Sequence, residues 1–213
     1  MPSTEELYQI ADELRAIASG GLLWTGSHYD RERYERVMAA SARLIGSMEQ
    51  RQSDEILTRF HDNLYHLSPL AGVDTVVLQD EKLLLIQRSD NRLWAMPGGL
   101  AEIGETLAQA AQRELWEETG FHARITKLLG IFDSRIWKNR SKVQLYHVLF
   151  QAEIASVVAT LSSETLQVDF FDESNLPPLS QGHDTRVPFI FKMLRGEIPT
   201  PFFDLTNQAT MEE

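Results

Sequence analysis

Gly98-Gly99-Leu100-Ala101-Glu102-Ile103-Gly104-Glu105, seven residues more, then Arg113-Glu114-Leu115-Trp116-Glu117-Glu118-Thr119-Gly120-Phe121: this stretch decides how the rest of the chain is read. Thr106 and Gln109 have the spacing of a capping box, so a helix opens directly after the glycine loop. Gly120 suits a left-handed cap at its far end. Ala108, Ala111 and Leu115 recur at i, i+3 and i+7 and predict the stripe facing the core. Glu114, Glu117 and Glu118 recur at i, i+3 and i+4 on a neighbouring face. Like charges so close repel each other, and a divalent cation would relieve that cost. Oxygen-only donors favour Mg²⁺, with Mn²⁺ as a substitute. Gly98 and Gly99 leave room for backbone to approach a metal or a phosphate. Taken alone, the glutamates could be a solvated acidic face; the glycines, Glu105 and Arg113 in register speak for the site.

Together, Gly99, Glu105, Arg113-Glu114, Glu117-Glu118 and Gly120 resemble a complete Nudix box. The resemblance implies an α+β fold, a Nudix α/β/α sandwich with a mixed sheet. It implies Mg²⁺-dependent hydrolysis of the pyrophosphate bond in a nucleoside diphosphate linked to another moiety, giving a nucleoside monophosphate and a phosphorylated moiety. It also implies that the Gly99 carbonyl joins Glu114, Glu117 and Glu118 as a metal ligand, and that Arg113 pairs with Glu105 to hold loop against helix, with Gly98 and Gly120 as structural members of the motif. Glu117, Glu118, Glu164 and Arg113 are the candidates for catalysis. The general base is either Glu118, linked to the metal, or Glu164, on a loop before a strand; Glu164 as an ordinary surface residue is the alternative. Arg88 stands where family members place an arginine near substrate phosphate. The segment from Phe132 to Lys142 is the only locally basic, aromatic-containing loop in an acidic chain, and it offers Phe132, Asp133, Arg135 and Lys142 as substrate contacts. An exposed loop without a ligand is the competing reading.

The wider composition narrows the partners. A formal charge of -11 lacks the basic stripe that nucleic acid requires. No run reaches the roughly 18 apolar residues of a membrane span, and the acidic amino terminus lacks the pattern of a secretory signal, so a cytoplasmic enzyme is expected. With no cysteine in the chain, thiolate metal sites are excluded. The six histidines show no ligand-type pairing, and Arg186 near the start of the last helix carries no evident role.

Along the chain, residues 1–66 read as a helical domain and residues 67–213 as the Nudix domain. A first helix from Thr4 to Ser19 carries Leu7, Ile10, Ala11, Leu14 and Ile17, and Gly20-Gly21 is expected to end it. Asp30 is placed to cap a second helix, and a third begins near Ser53. Three short helices bury little surface alone, so a homodimer contact is expected; a cap over a sheet edge is the alternative. After Pro69, strands are expected over Val73–Leu78, Leu83–Gln87, Ile125–Phe132, Val143–Ala152 and, last, Gln167–Phe171, with a closing helix over Asp184–Leu194 and a partly loose tail from Gly196. The helical extension also resembles that of a bacterial subgroup that includes CDP-choline pyrophosphatases. CDP-choline and ADP-ribose are the leading substrates. An inactive nucleotide-metabolite sensor and an RNA-end or dinucleoside polyphosphate pyrophosphohydrolase are the alternatives.

Overall fold

The computed structural model describes residues 3–137, 143–157 and 164–205. They divide into two compact units, one running to Leu70 and taking in Val143 and Gln144, the other holding the rest from Ala71 onward.

The first unit is built from α1 (Thr4–Trp24), α2 (His28–Glu49) and α3 (Ser53–Asp62). Ser3 opens α1 with a capping box that uses Glu6. The helix does not stop at Gly20-Gly21. It runs on to Trp24, and Gly21 lies against the ring of Tyr34, where any Cβ would overlap it. The glycine serves close helix packing rather than termination, and Leu22 joins Ala18, Met38, Ala42, Ile56 and Phe60 in a small apolar core. Nor does Asp30 cap α2. Ser27 takes that position, its hydroxyl accepting from the Asp30 amide at 3.3 Å, while the Asp30 carboxylate accepts from Arg33. Only part of the expected α1 stripe is inside: Ala11 is buried, whereas Ile10 and Ile17 are 45% and 53% exposed.

The second unit is a helix–sheet–helix sandwich. Its elements are β1 (Leu70–Gln79), β2 (Lys82–Arg88), β3 (Trp94–Ala95), β4 (Gly98–Leu100), α4 (Leu107–Thr119), β5 (Phe121–Asp133), β6 (Leu145–Val157), β7 (Thr165–Phe171), α5 (His183–Leu194) and β8 (Phe202–Phe203). The strands run in the order β3-β2-β1-β6-β5-β8, with β4 also pairing on β1 and β7 on β2. β8 joins β5 in parallel, whereas β1–β2, β1–β4 and β5–β6 are antiparallel, so the sheet is mixed. Asp80 and Glu81, both at positive φ, make the tight hairpin between β1 and β2.

Alternation along the central strands serves both faces, as expected where helices cover a sheet on each side. Val76, Leu83 and Leu85 pack with Val187 and Ile190 of α5, while Val77 and Leu84 pack with Leu115 of α4. In α4, Ala110, Ala111 and Leu115 are buried and Ala108 is half-buried, so the seated stripe lies slightly round from the expected one.

β7 is not the last strand, and the start of the tail is held rather than loose. Phe202 packs among Phe132, Trp137 and Phe189, and the Asp204 carboxylate accepts from the Asp133 amide at 2.7 Å and from the Trp137 indole at 2.9 Å. Among the described residues, no helix is long and apolar enough to cross a membrane.

Candidate active site

The glycine loop is β4 itself. Val73 pairs with Gly99 and Asp74 with Gly98 in antiparallel register, which fixes the loop as the edge of a buried sheet. From there the chain passes through Glu105 to Thr106, whose capping box with Gln109 is present as expected. α4 then ends at Gly120 in the left-handed conformation, φ 72°. The helix is seated from below by the Thr75 hydroxyl, which donates to the Ala111 carbonyl at 3.2 Å, and by Gln112, which donates to the Ala123 carbonyl at 2.7 Å.

Arg113 is the hub of the loop–helix junction. Its guanidinium donates to both Glu105 oxygens at 2.8 and 3.1 Å, to the Leu100 carbonyl at 3.0 Å, to Glu114 at 2.9 Å and to Glu117 at 3.1 Å. Such charge-assisted, forked bonding is stronger than neutral pairing. Hydrogen bonds from Arg113 hold Glu105 below the usual carboxylate range, and the Glu105 pairing raises Arg113 in turn. Glu114 moves the other way, since burial outweighs the attraction of Arg113.

Glu118 is the most perturbed acid of the group. It is 8% exposed, and burial lifts its pKa to about 8, with help from the charges of Glu114 and Asp74 and against the Gly98 amide, which donates to it at 2.8 Å. Gly99 faces Glu114 so closely that a Cβ would overlap the carboxylate. A backbone stripped of its side chain, a half-buried acid and a buried, charge-starved acid therefore meet on one side of α4. Among the described residues no three acids or histidines already stand together as a cage, because Arg113 draws Glu114 and Glu117 while Glu118 turns to Gly98. The donor chemistry nevertheless fits a hard cation: every available group is an oxygen, and the burial cost at Glu118 is one that a cation would offset.

The outlying residues fall into two sets. Arg88 forms a two-point pair with Asp90 at 2.8 and 3.0 Å, and its guanidinium also lies within the fields of Glu118 and Glu164. Glu164 is exposed, and its carbonyl accepts from the Ser89 amide at 2.8 Å, which pins it beside the end of β2. Arg88, Glu118 and Glu164 are thus brought to one place. In the second set, Phe132 is fully buried within an aromatic cluster with Trp137, Phe189 and Phe202, so it cannot stack a base. Asp133 is also buried, its carboxylate gripped by Arg135 at 2.6 Å. Only the Arg135 side chain, 48% exposed, faces outward. Lys142 lies outside the described residues.

One buried group was missed in the linear reading. Asp74 accepts from Arg186, and His147 Nδ1 lies 3.1 Å from the same oxygen. His183 Nδ1 accepts from the Met96 amide at 3.2 Å. Sequence separations as long as 112 residues hide this cluster. Its one trace is a charged residue, Asp74, inside the apolar run Val73–Leu78.

With this geometry in place, the likenesses to known proteins carry weight. Residues 69–192 match the NUDIX domain and residues 5–60 match the UDP-X-like, N-terminal oligomerisation domain. The chain is 31% identical to "Putative ADP-ribose pyrophosphatase YjhB" of Bacillus subtilis (strain 168), over 91% of this chain and 95% of that protein. It is 34% identical to an ADP-ribose pyrophosphatase of Methanocaldococcus jannaschii, over 56% of this chain and 71% of that one. Among solved structures, a UDP-X diphosphatase superposes with a TM-score of 0.60 at 26% identity, covering 95% of this chain and 100% of that one. The domain match, the near full-length relative and the intact Glu105–Arg113 brace over an acidic helix agree: the chain belongs to the Nudix family and is a Nudix hydrolase.

Proposed function

We propose that the protein hydrolyses the pyrophosphate bond of a nucleoside diphosphate linked to another moiety, with ADP-ribose as the leading substrate and CDP-choline or a UDP-linked compound behind it. The observation that carries this reading is the approach of a side-chain-free backbone at Gly98-Gly99 to the carboxylates of Glu114 and Glu118. The names of the relatives favour ADP-ribose, and that of the structural neighbour favours a UDP-linked substrate.

In this reading Glu114, Glu117, Glu118 and the Gly99 carbonyl hold Mg²⁺, or Mn²⁺ in its place. When bound, the metal supplies charge neutralisation at the pyrophosphate and acidifies the attacking water. Arg113 positions the loop. Arg88 and Arg135 meet phosphate charge, and Glu164 takes the proton from water. Turnover of ADP-ribose, CDP-choline and UDP-glucose, followed by release of AMP, CMP or UMP with Mg²⁺ present, tests the proposal. We expect ADP-ribose to exceed the other two by at least about tenfold in kcat/KM, a margin of about 1.4 kcal/mol. Failure to cleave any of the three refutes the reading.

The helical unit, assigned to residues 1–66, we take to pair with a second copy. Ile10, Ile17 and Trp24 recur every seven residues along α1, with Leu14 between the first two, the spacing of a two-helix seam. Ile10, Ile17 and Trp24 are exposed, the last at 73%. The matched domain's description as an oligomerisation domain agrees. Sedimentation should give a dimer for the natural chain and a monomer for Ile17→Glu; a natural chain that sediments as a monomer removes the seam.

A further inference from the structure

The buried cluster around Asp74 lies on the face of the sheet away from α4. Alternation along β1 puts Asp74 on the side of Val76, which packs against α5, while Val73 and Thr75 face α4. The first turn of α5 grips both chain segments that flank the glycine loop. Through His183 it accepts the amide of Met96, two residues before Gly98. Through Arg186 it pairs with Asp74, the β1 residue in register with Gly98. His147 of β6 holds the same Asp74 oxygen from another strand. Arg186 is itself anchored, its Nε donating to the Gly182 carbonyl at 3.2 Å.

Charge and tautomer are consistent with a fixed device. Arg186 is 2% exposed and Asp74 4%, so each is a buried ion that would be costly without the other. An imidazole that accepts from the Met96 amide at Nδ1 is neutral, and its other nitrogen, Nε2, lies 3.4 Å from Arg186 Nη2. Burial, reinforced by the charge of Arg186, keeps His183 in that form. The Gly98 amide held between these two grips is the one that donates to Glu118.

Resting on the hydrolase site assigned above, we infer that His183 and Arg186, acting with Asp74 and His147, are positioning residues: they set the Met96–Gly98 backbone, and through the Gly98 amide the carboxylate of Glu118. Outer-shell groups of this kind typically change activity by about 10- to 100-fold when removed.

The test compares His183→Leu, which keeps bulk but loses the acceptor, with His183→Asn, whose amide oxygen can replace Nδ1. Two quantities are read, the hydrogen exchange of the Met96 and Gly98 amides without substrate, and kcat and KM for ADP-ribose with Mg²⁺. The leucine variant should exchange both amides at least about tenfold faster and lose about 10- to 100-fold in kcat with KM within about threefold, and asparagine should restore both within about threefold. Unchanged exchange in the leucine variant, or equal losses in the two variants, overturns the inference. If the leucine variant does not fold, Arg186→Lys carries the test, since it keeps the charge but loses the fork: faster Gly98 exchange is expected, and natural exchange overturns it. Absence of ADP-ribose cleavage by the natural enzyme would count against the substrate reading alone, because the exchange measurement stands without it.

Discussion

Glu118→Gln should lower kcat by about 10²- to 10⁴-fold and, in chelator at pH 8, make the protein more stable. Both effects come from the same burial. In the folded chain the Glu118 pKa is raised from 4.5 to about 8. Between those values the folded state keeps a proton that the unfolded state has released, so stability is full below about pH 4.5 and declines as pH rises toward 8. Glutamine can still accept from the Gly98 amide but has no charge to bury, so the decline disappears. The difference at pH 8 should be on the order of 3 kcal/mol, read from urea midpoints at pH 5 and pH 8. Glu164→Gln is the matched control. Its carboxylate lies on an exposed residue rather than a buried one, so the variant should lose about 10²-fold in kcat with an unchanged midpoint. A glutamine variant at position 118 that is less stable than the natural protein in chelator at pH 8 contradicts the account.

The second large effect separates two neighbouring glycines. A Cβ at position 98 would overlap the Val73 carbonyl and crowd the Asp74 Cα at 2.9 Å. Both are backbone atoms of a buried central strand and cannot yield, so Gly98→Ala should cost about 2–4 kcal/mol and remove activity together. The three atoms nearest a Cβ at position 99 all belong to the end of the Glu114 side chain, which can move. Gly99→Ala should therefore displace that carboxylate, losing at least about 100-fold in kcat with a melting temperature within about 3 °C. Thermal melts beside steady-state kinetics check the contrast. Equal losses of stability in the two variants would show that the loop tolerates or rejects side chains as a unit.

These contrasts also mark what a linear reading can reach. The box helix was legible because its cap, stripe and acidic face are set within a dozen residues, and α4 has the expected cap at each end. The strands expected over Val73–Leu78 and Leu83–Gln87 were legible for the same reason, and β1 and β2 contain them. Gly21 was misread as a terminator because its reason for being glycine is Tyr34, which reaches it only through tertiary packing. Phe132 was misread as a substrate contact because the cluster that absorbs it is completed by Phe189 and Phe202, far along the chain. The grip on the glycine loop draws on β1, β6 and α5, and no local spacing could announce it.

Arg113 has a consequence beyond bracing. Its guanidinium already pairs with Glu114 and Glu117, and Glu118 keeps a proton below about pH 8, so in the proposed site the loading of Mg²⁺ would be an exchange reaction rather than a simple addition. The ion would compete with Arg113 for the carboxylates of Glu114 and Glu117, and Glu118 would give up its proton. Affinity for the ion should then climb with pH, each ion taken up releasing up to about one proton near neutrality. The resident arginine offsets like-charge repulsion along the acidic helix, and only a competitor of higher charge would take its partners.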